Sequence, residues 1–360
     1  MRVLVVAVSA RMLAELAAAD GYDVIALDRF GDVDLRRVAP GATASTSEAL
    51  TALAAHIDAE AVVYGAGFEN RPDLVSRLAE GRELLGTPPG LLAALRDPWA
   101  VGAAARAAGA RAPDTRSVEE LPSEAGDGLW LRKPRQGGGG RGVRRWSGGR
   151  LRRSEIVQRF VAGLSCSAVA IGDGRRAAVL GVTEQLHRAP GFQWTGNLVP
   201  PRLPEPQVAE LAGQLSAVCA EVAARFGVRG AFGVDAVWDG RHAWVLEVNP
   251  RPPASLELFA HSSFAGHVAG ARRLGLPAGG MPAQERSAVK LVLFAERDLL
   301  APDPGSWPAG LVRDIPHGGE EIGRGGPVCT LVSDTASAPE LARLGARLLS
   351  ALPEAATAGA

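Results

Sequence analysis

Four residues near the end of one apolar stretch carry the clearest chemistry in this chain. They are Asp235 in Ala231-Phe232-Gly233-Val234-Asp235-Ala236-Val237-Trp238, and Glu247, Asn249 and Arg251 in Leu246-Glu247-Val248-Asn249-Pro250-Arg251. Asp239 and Gly240 fall between the two runs and read as the turn of a hairpin. Side chains alternate along a strand, so Glu247, Asn249 and Arg251 point to one face. Asp235 joins them if the hairpin loop holds an odd number of residues, which a three-residue Asp239-Gly240-Arg241 loop provides. Two carboxylates and an amide oxygen on one patch are hard ligands suited to Mg²⁺ or Mn²⁺. An arginine beside them holds a phosphate or a transferring phosphoryl group.

A second set lies upstream. Trp130-Leu131-Arg132-Lys133-Pro134 reads as a strand, and Gln136-Gly137-Gly138-Gly139-Gly140-Arg141-Gly142 follows it. Lys133 at a strand end can neutralise phosphate charge, and backbone N–H groups of Gly138, Gly139 and Gly140 can close over phosphates. A flexible linker is the other meaning of such a run. Lysine is rare here, only Lys133 and Lys290 among many arginines, which singles out Lys133. Gln185, Trp194 and Asn197 sit on or after a strand whose following loop either lines an acceptor pocket or packs over the core. Ser255 either touches substrate or caps a helix beginning at Leu256. His187, His261 and His267 lack ligand spacing and read as structural or surface histidines.

These residues need a scaffold. Residues 2–8 form a near-continuous apolar run, a helical stretch follows to Ala19, and Asp23 to Leu27 is a second run. This β-α-β start suits a parallel sheet covered on both faces. Its first turn, Val8-Ser9-Ala10-Arg11, lacks the glycines of a dinucleotide fingerprint. Residues 61–65 give another strand, and Thr87-Pro88-Pro89-Gly90 marks a boundary near residue 90. One helical stretch is predicted from Leu91 to Ala108, strands over 155–161, 165–171 and 177–182, and a helix over 206–226. Two β-rich segments, 231–249 and 288–295, precede a turn-rich region and a last helix near 338–352, followed by an Ala-rich end.

With the elements in place, the chain resembles the ATP-grasp superfamily. Leu246 to Arg251 is similar to its metal-binding strand, and Asp235 stands where the family places its first magnesium carboxylate. Trp130 to Pro134 with the glycine run resembles its phosphate-binding strand and lid. Ile156-Val157-Gln158-Arg159-Phe160-Val161 resembles the hinge that grips adenine, with Leu246 on the nucleotide side and Ser165 at the ribose position. Gln158 and Ser165 replace the commoner carboxylates, and Asp97-Pro98 stands where many relatives have Asp-Lys, which shifts the phosphate role onto Lys133. The resemblance implies an α/β (α+β) fold: a Rossmann-like pre-ATP-grasp domain over 1–90, a lid subdomain over 91–163, a large subdomain with the metal site over 164–285, and a β-rich extension over 286–360. It implies ATP and Mg²⁺ or Mn²⁺ as cofactors, with Lys133 and Arg251 catalytic and Asp235, Glu247 and Asn249 on the metal. The activity implied is joining of a carboxylate to an amine through an acyl phosphate. A bicarbonate-using carboxylase and a non-catalytic nucleotide-binding module are the alternatives. Val312 to Gly319 and Gly326 to Thr330 resemble the tail of biotin-carboxylase-related carboligases, a group with relatives resembling tyramine–glutamate ligase of methanofuran-type (C1-carrier) cofactor synthesis.

Composition narrows the partners. Thirty-nine basic and 39 acidic residues cancel, so no net field draws the chain to nucleic acid or to a membrane surface. No apolar run reaches the roughly 20 residues of a membrane span. Cys166, Cys219 and Cys329 form no CxxC pair and read as buried thiols of a reducing compartment. A cytoplasmic protein acting on small carboxylates and amines is expected, with small-residue helices such as 102–110 able to pack in a homodimer.

Overall fold

The computed structural model describes residues 1–121, 129–259, 264–277 and 287–355; His261 and residues 356–360 of the Ala-rich end lie outside them. The chain begins with β1 (Arg2–Val6), α1 (Arg11–Ala19), β2 (Asp23–Asp28), α2 (Val33–Val38), β3 (Gly41–Thr43), α3 (Ser47–Ala54), β4 (Ala61–Tyr64), α4 (Pro72–Leu78) and β5 (Glu83–Leu84). The strands form a sheet in the order β3-β2-β1-β4-β5, with β1 parallel to β2 and β4. Val3 to Val6 are fully buried, because helices cover both faces: Val3 and Val5 pack towards Leu13, Leu4 and Val6 towards Leu50 and Leu74. Each such side chain contributes about 1.5–3 kcal/mol by leaving water. Strand order reverses between β1 and β4, so the crevice beyond their carboxyl ends is the natural place for contacts with a site.

The stretch predicted as one helix is two, α5 (Pro89–Leu95) and α6 (Pro98–Ala107). Asp97 caps α6, its Oδ1 accepting from the N–H groups of Trp99 and Ala100 at 3.0 and 2.9 Å. Pro98 occupies the first helical turn, where its missing N–H does no harm, and it disfavours helical backbone in the residue before it. The break leaves Arg96 free to turn inward.

A small antiparallel sheet, within the segment expected to form the lid, is made of β6 (Thr115–Arg116), β7 (Trp130–Pro134), β8 (Arg144–Trp146) and β9 (Glu155–Arg159), ordered β6-β9-β7-β8 around Trp130, Trp146 and Val157. The larger unit contains β10 (Leu164–Asp173), β11 (Ala177–His187), β12 (Trp194–Val199), α7 (Glu205–Phe226), β13 (Arg229–Trp238), β14 (Ala243–Asn249), α8 (Phe264–Ala271), β15 (Ala288–Phe294), β16 (Leu299–Leu300), β17 (Val312–Arg313), β18 (Glu321–Ile322), β19 (Pro327–Ser333) and α9 (Ala338–Ala351). Eight strands run β14-β13-β10-β11-β12-β15-β19-β17, so the C-terminal segment extends the same sheet. The amphipathic α7 lays Leu211, Leu215, Val218 and Val222 on one face of it, against Phe232, Val234 and Ala236.

Of the histidines with no ligand spacing, His267 is a satisfied structural residue. Its Nδ1 accepts from the Ala231 N–H at 2.9 Å and its Nε2 lies 3.1 Å from the Leu85 carbonyl, so the neutral ring joins the two larger units. Gly230 (φ +72°) passes so close that a Cβ there would meet the ring at 2.6 Å. Burial lowers the His267 pKa to about 4 from its ordinary 6.5. The unfolded chain takes up the proton first, so this contribution to stability is complete above pH 6.5 and is lost as the pH falls towards 4. The loss amounts to about 3 kcal/mol. Denaturant titrations at pH 7 and 4.5 should therefore show the wild type losing about 2–3 kcal/mol more than His267→Gln. Parallel losses in the two proteins would refute it.

Candidate active site

The β13–β14 hairpin brings the sequence-selected oxygens together by a route other than the expected one. Its turn holds four residues, Asp239 to His242, closed by Asp239 Oδ1 accepting from the N–H groups of Arg241 and His242 at 2.8 and 2.7 Å. A three-residue loop is thus not what sets the register. Trp238 pairs with Ala243 and Ala236 with Val245; an unbroken ladder would then set Asp235 against Leu246. Leu246 is instead the extra residue of a β-bulge, and Asp235 pairs with Glu247 and Gly233 with Asn249. Burial follows the shift: Ala243, Val245 and Val248 face α7, while Asp235, Glu247 and Asn249 face the cleft. Asn249 Nδ2 donates to Asp235 Oδ2 and Gln185 Nε2 to Asp235 Oδ1, both at 2.9 Å.

Three cations surround these groups. The Arg96 side chain is 5% exposed, and its Nη2 lies 3.7 Å from Glu247. Arg96 also donates to the Val248 carbonyl at 2.8 Å, the Gly137 carbonyl at 2.7 Å and Asn70 Oδ1 at 3.0 Å. Sequence reading passed over it because arginine is so abundant here; the Asp97-Pro98 helix break beside it was the available signal. Arg96 is thus a second cation beside Lys133, lining the same cavity. Lys133 Nζ donates to Gln158 Oε1 at 3.3 Å, and burial lowers its pKa, with Arg96 acting the same way against the pull of Glu247 and Asp235. Arg251 meets the buried Glu69 at 3.3 Å, a partner supplied by the carboxyl end of β4. The Tyr64 hydroxyl, from β4 itself, lies 3.1 Å from the Pro250 carbonyl.

Burial and the neighbouring Glu247 raise the Asp235 pKa. Burial alone would raise Glu247 too, but Arg96 and Lys133 outweigh it and hold Glu247 low. Asp235 is therefore the member that keeps a proton when nothing else neutralises the pair. A divalent cation would take that proton's place, and the oxygen-only donor set fits Mg²⁺ or Mn²⁺. Among the described residues no three His, Cys, Asp or Glu side chains gather as a metal site; Asp235 and Glu247 are joined instead by the Asn249 amide.

Residues 96–255 match a family model described as an ATP-grasp domain. The chain carries an ATP-grasp domain. No curated protein matches it by sequence. Among solved structures it is similar to the biotin carboxylase domain dimer of Hydrogenobacter thermophilus 2-oxoglutarate carboxylase in complex with MgADP, ADP and bicarbonate, with TM-score 0.73, 13% identity, and coverage of 92% of this chain and 86% of that one. Biotin carboxylase of Campylobacter jejuni gives TM-score 0.72 and 16% identity over 97% and 91% of the two chains. N5-carboxyaminoimidazole synthetase of Staphylococcus aureus, complexed with ADP, gives 0.67 and 19% over 97% and 96%. Likeness over almost the whole chain means that the flanking units share this fold as well.

Within the ATP-grasp domain the remaining selected residues are dispersed along the cleft. Gln158 lies on β9, bridging Lys133 and Thr115, the latter at 3.0 Å. The N–H groups of Arg159 and Phe160 are taken by the carbonyls of Asp114 and Leu129, both at 2.7 Å, and the Arg145 guanidinium covers the Phe160 ring at 3.7 Å. Val161 follows, and Ser165 is half-buried on β10 opposite Val237. Leu246, Lys133 and Arg96 line one small cavity beside Glu247. Gly138 lies at the exposed crest of the glycine loop. The Gly139 carbonyl accepts from the Trp194 N–H at 3.0 Å, and Gly140 (φ +69°) lies against the Phe192 carbonyl, where a Cβ would come within 1.8 Å. Asn197 lies on the same sheet face as Asp235, opposite the Gln185 that binds that carboxylate. The Trp194 indole N–H donates to Asn197 Oδ1 at 3.0 Å, and Asn197 Nδ2 donates to Thr183 Oγ1 at 2.8 Å. Ser255 is buried inside a short 3₁₀ helix, Ala254–Leu258, whose N-cap is Pro253, so it is not a cap.

Lys290 and Glu257 form an ion pair beneath that helix, and Arg11 meets Glu257 at 2.6 Å and Asp314 at 3.1 Å. Among the described residues no helix is long and apolar enough to cross a membrane.

Proposed function

We propose that the chain is an ATP- and Mg²⁺-dependent, ADP-forming ligase that activates a small carboxylate as an acyl phosphate and joins it to an amine. The observation that carries this reading is the pairing of Asp235 with Glu247, beside Asn249, under the convergent Arg96, Lys133 and Arg251. A nucleotide-binding module has no use for two half-buried carboxylates facing three cations; phosphoryl transfer needs both. Asp235, Glu247 and Asn249 would hold the metal, which supplies charge neutralisation between phosphate oxygens. Lys133 and Arg96 bind and orient the phosphates, and the glycine loop excludes water from them. Arg251, held in place by Glu69, stabilises charge at the transferring phosphoryl group and then on the oxyanion of the tetrahedral intermediate, which forms when the amine attacks the acyl carbon and collapses to the amide as phosphate leaves. Positioning and electrostatics suffice, with no covalent enzyme nucleophile.

The test is ADP release from the purified chain with Mg-ATP against pools of amino acids, other carboxylates, amines and bicarbonate. Release that requires a carboxylate and an amine together supports the ligase. Dependence on bicarbonate would move the reaction to carboxylation, the chemistry named for two of the structural neighbours. ATP binding without release in every pool would leave a binding module.

A further inference from the structure

Between the glycine loop and segment 188–193 lies a cleft of about 570 Å³, reaching the C-terminal turn at Gly325. Two arginines line it, Arg141 from the lid and Arg188 from the facing segment, and no carboxylate does. The lining itself therefore carries two positive charges, of which Arg188 has a carboxylate, Glu296, just outside it. Arg141 has no ion pair or side-chain hydrogen bond among the described residues. Arg188 lies 3.7 Å from Glu296, with both side chains well exposed, a pairing that salt screens and a bound anion displaces easily. The wall between the arginines is apolar, made by Val143, Pro190 and Phe192.

The cleft is tied to the metal end of the site. The Gly137 carbonyl is bound by Arg96, which lies beside Glu247, and Gly140 forms the cleft's inner edge. Three residues span at most about 10 Å. The cleft also depends on lid position, since its two sides meet through the Trp194 to Gly139 hydrogen bond and the contact of Gly140 with Phe192.

We propose that this cleft binds a second anionic group, a carboxylate or phosphate, of the same acid whose first carboxylate is activated, with an apolar spacer between them. This rests on the ligase reading for the identity of the reacting group. Because docking of the lid builds the cleft, a nucleotide that closes the lid raises the affinity for such an acid.

The experiment is calorimetric titration of the full chain, loaded with Mg²⁺ and a non-hydrolysable ATP analogue. Its probes are straight-chain dicarboxylates from glutarate to sebacate, ω-phosphonocarboxylates, and monocarboxylates of matched length. ADP release with Mg-ATP and an amine pool is measured in parallel. At some spacer length the dianions should bind at least about tenfold more tightly than the matched monoanion. That preference should vanish in the Arg141→Gln/Arg188→Gln double variant with the analogue's affinity unchanged, and should weaken in Gly140→Ala. Equal binding of mono- and dianions, a preference that survives the double variant, or no binding of either would overturn the proposal. Arginine-dependent binding without ADP release in any pool would sustain the anion cleft and count against the ligase. Release driven equally well by monoacids, and indifferent to both arginines, would do the reverse.

Discussion

Glu247→Gln should lower ATP turnover by two to three orders of magnitude at saturating Mg²⁺ while the protein stays folded. Glutamine keeps the size and one oxygen of the side chain, so the bulge, the pairing with Asp235 and the packing of Val248 against α7 have no reason to change. What disappears is the negative charge that Arg96 and Lys133 stabilise in the unliganded protein. With that charge gone, Asp235 alone faces the three cations, and a divalent ion loses one of its two carboxylates. Steady-state ADP release across a Mg²⁺ titration, with circular dichroism as the folding control, reads the effect. An apparent Mg²⁺ constant that does not move would remove Glu247 from the metal, whatever happened to the rate.

The second large effect is expected at Arg96. Arg96→Ala removes a nearly buried guanidinium that ties the end of β14, the glycine loop and Asn70 together, and it leaves Glu247 with one cation fewer. Losing one partner of a buried charged cluster costs about 3–5 kcal/mol in stability, and loss of the phosphate clamp should lower kcat/KM by about 100-fold. The two are separable. Arg96→Lys restores the charge but not the fork that reaches three carbonyl-type acceptors at once, so it should recover more of the rate than of the stability. Thermal melts and initial rates on all three proteins decide it. A melting temperature that falls in Arg96→Ala while kcat/KM for ATP holds would reduce Arg96 to a structural tie.

Much of this site can be read along the chain because its chemistry is local. The run at Leu246 to Arg251 and Lys133 before its glycines are short segments whose residue types already specify oxygen donors and cations. The β-α-β start is legible for a related reason, since strands buried on both faces need unbroken apolar runs such as Val3 to Val6. The bulge at Leu246 is not legible, because either a bulge or an odd loop brings Asp235 to the same face and only pairing distinguishes them. Pro98 could have been recognised as a first-turn proline with Asp97 as its cap, which would have exposed Arg96. Glu69 and Tyr64 had no local signal, since their partners at Arg251 and Pro250 lie 182 and 186 residues away in sequence.

That separation also orders the molecule in time. The β1–β5 sheet is synthesised before β14; its face around Leu4, Leu50 and Leu74 is filled by residues that precede β14, whereas the face around Val3, Val5 and Leu13 is completed by Phe264 and Val268 of α8. β14 then carries Pro250 and Arg251 to Tyr64 and Glu69. The segment beyond it is fixed only later, when β15 brings Lys290 within 3.1 Å of the Ala254 carbonyl. A chain cut before β15 would therefore still hold Asp235, Glu247 and Arg251 yet lack the Lys290 contact that fixes the segment after them.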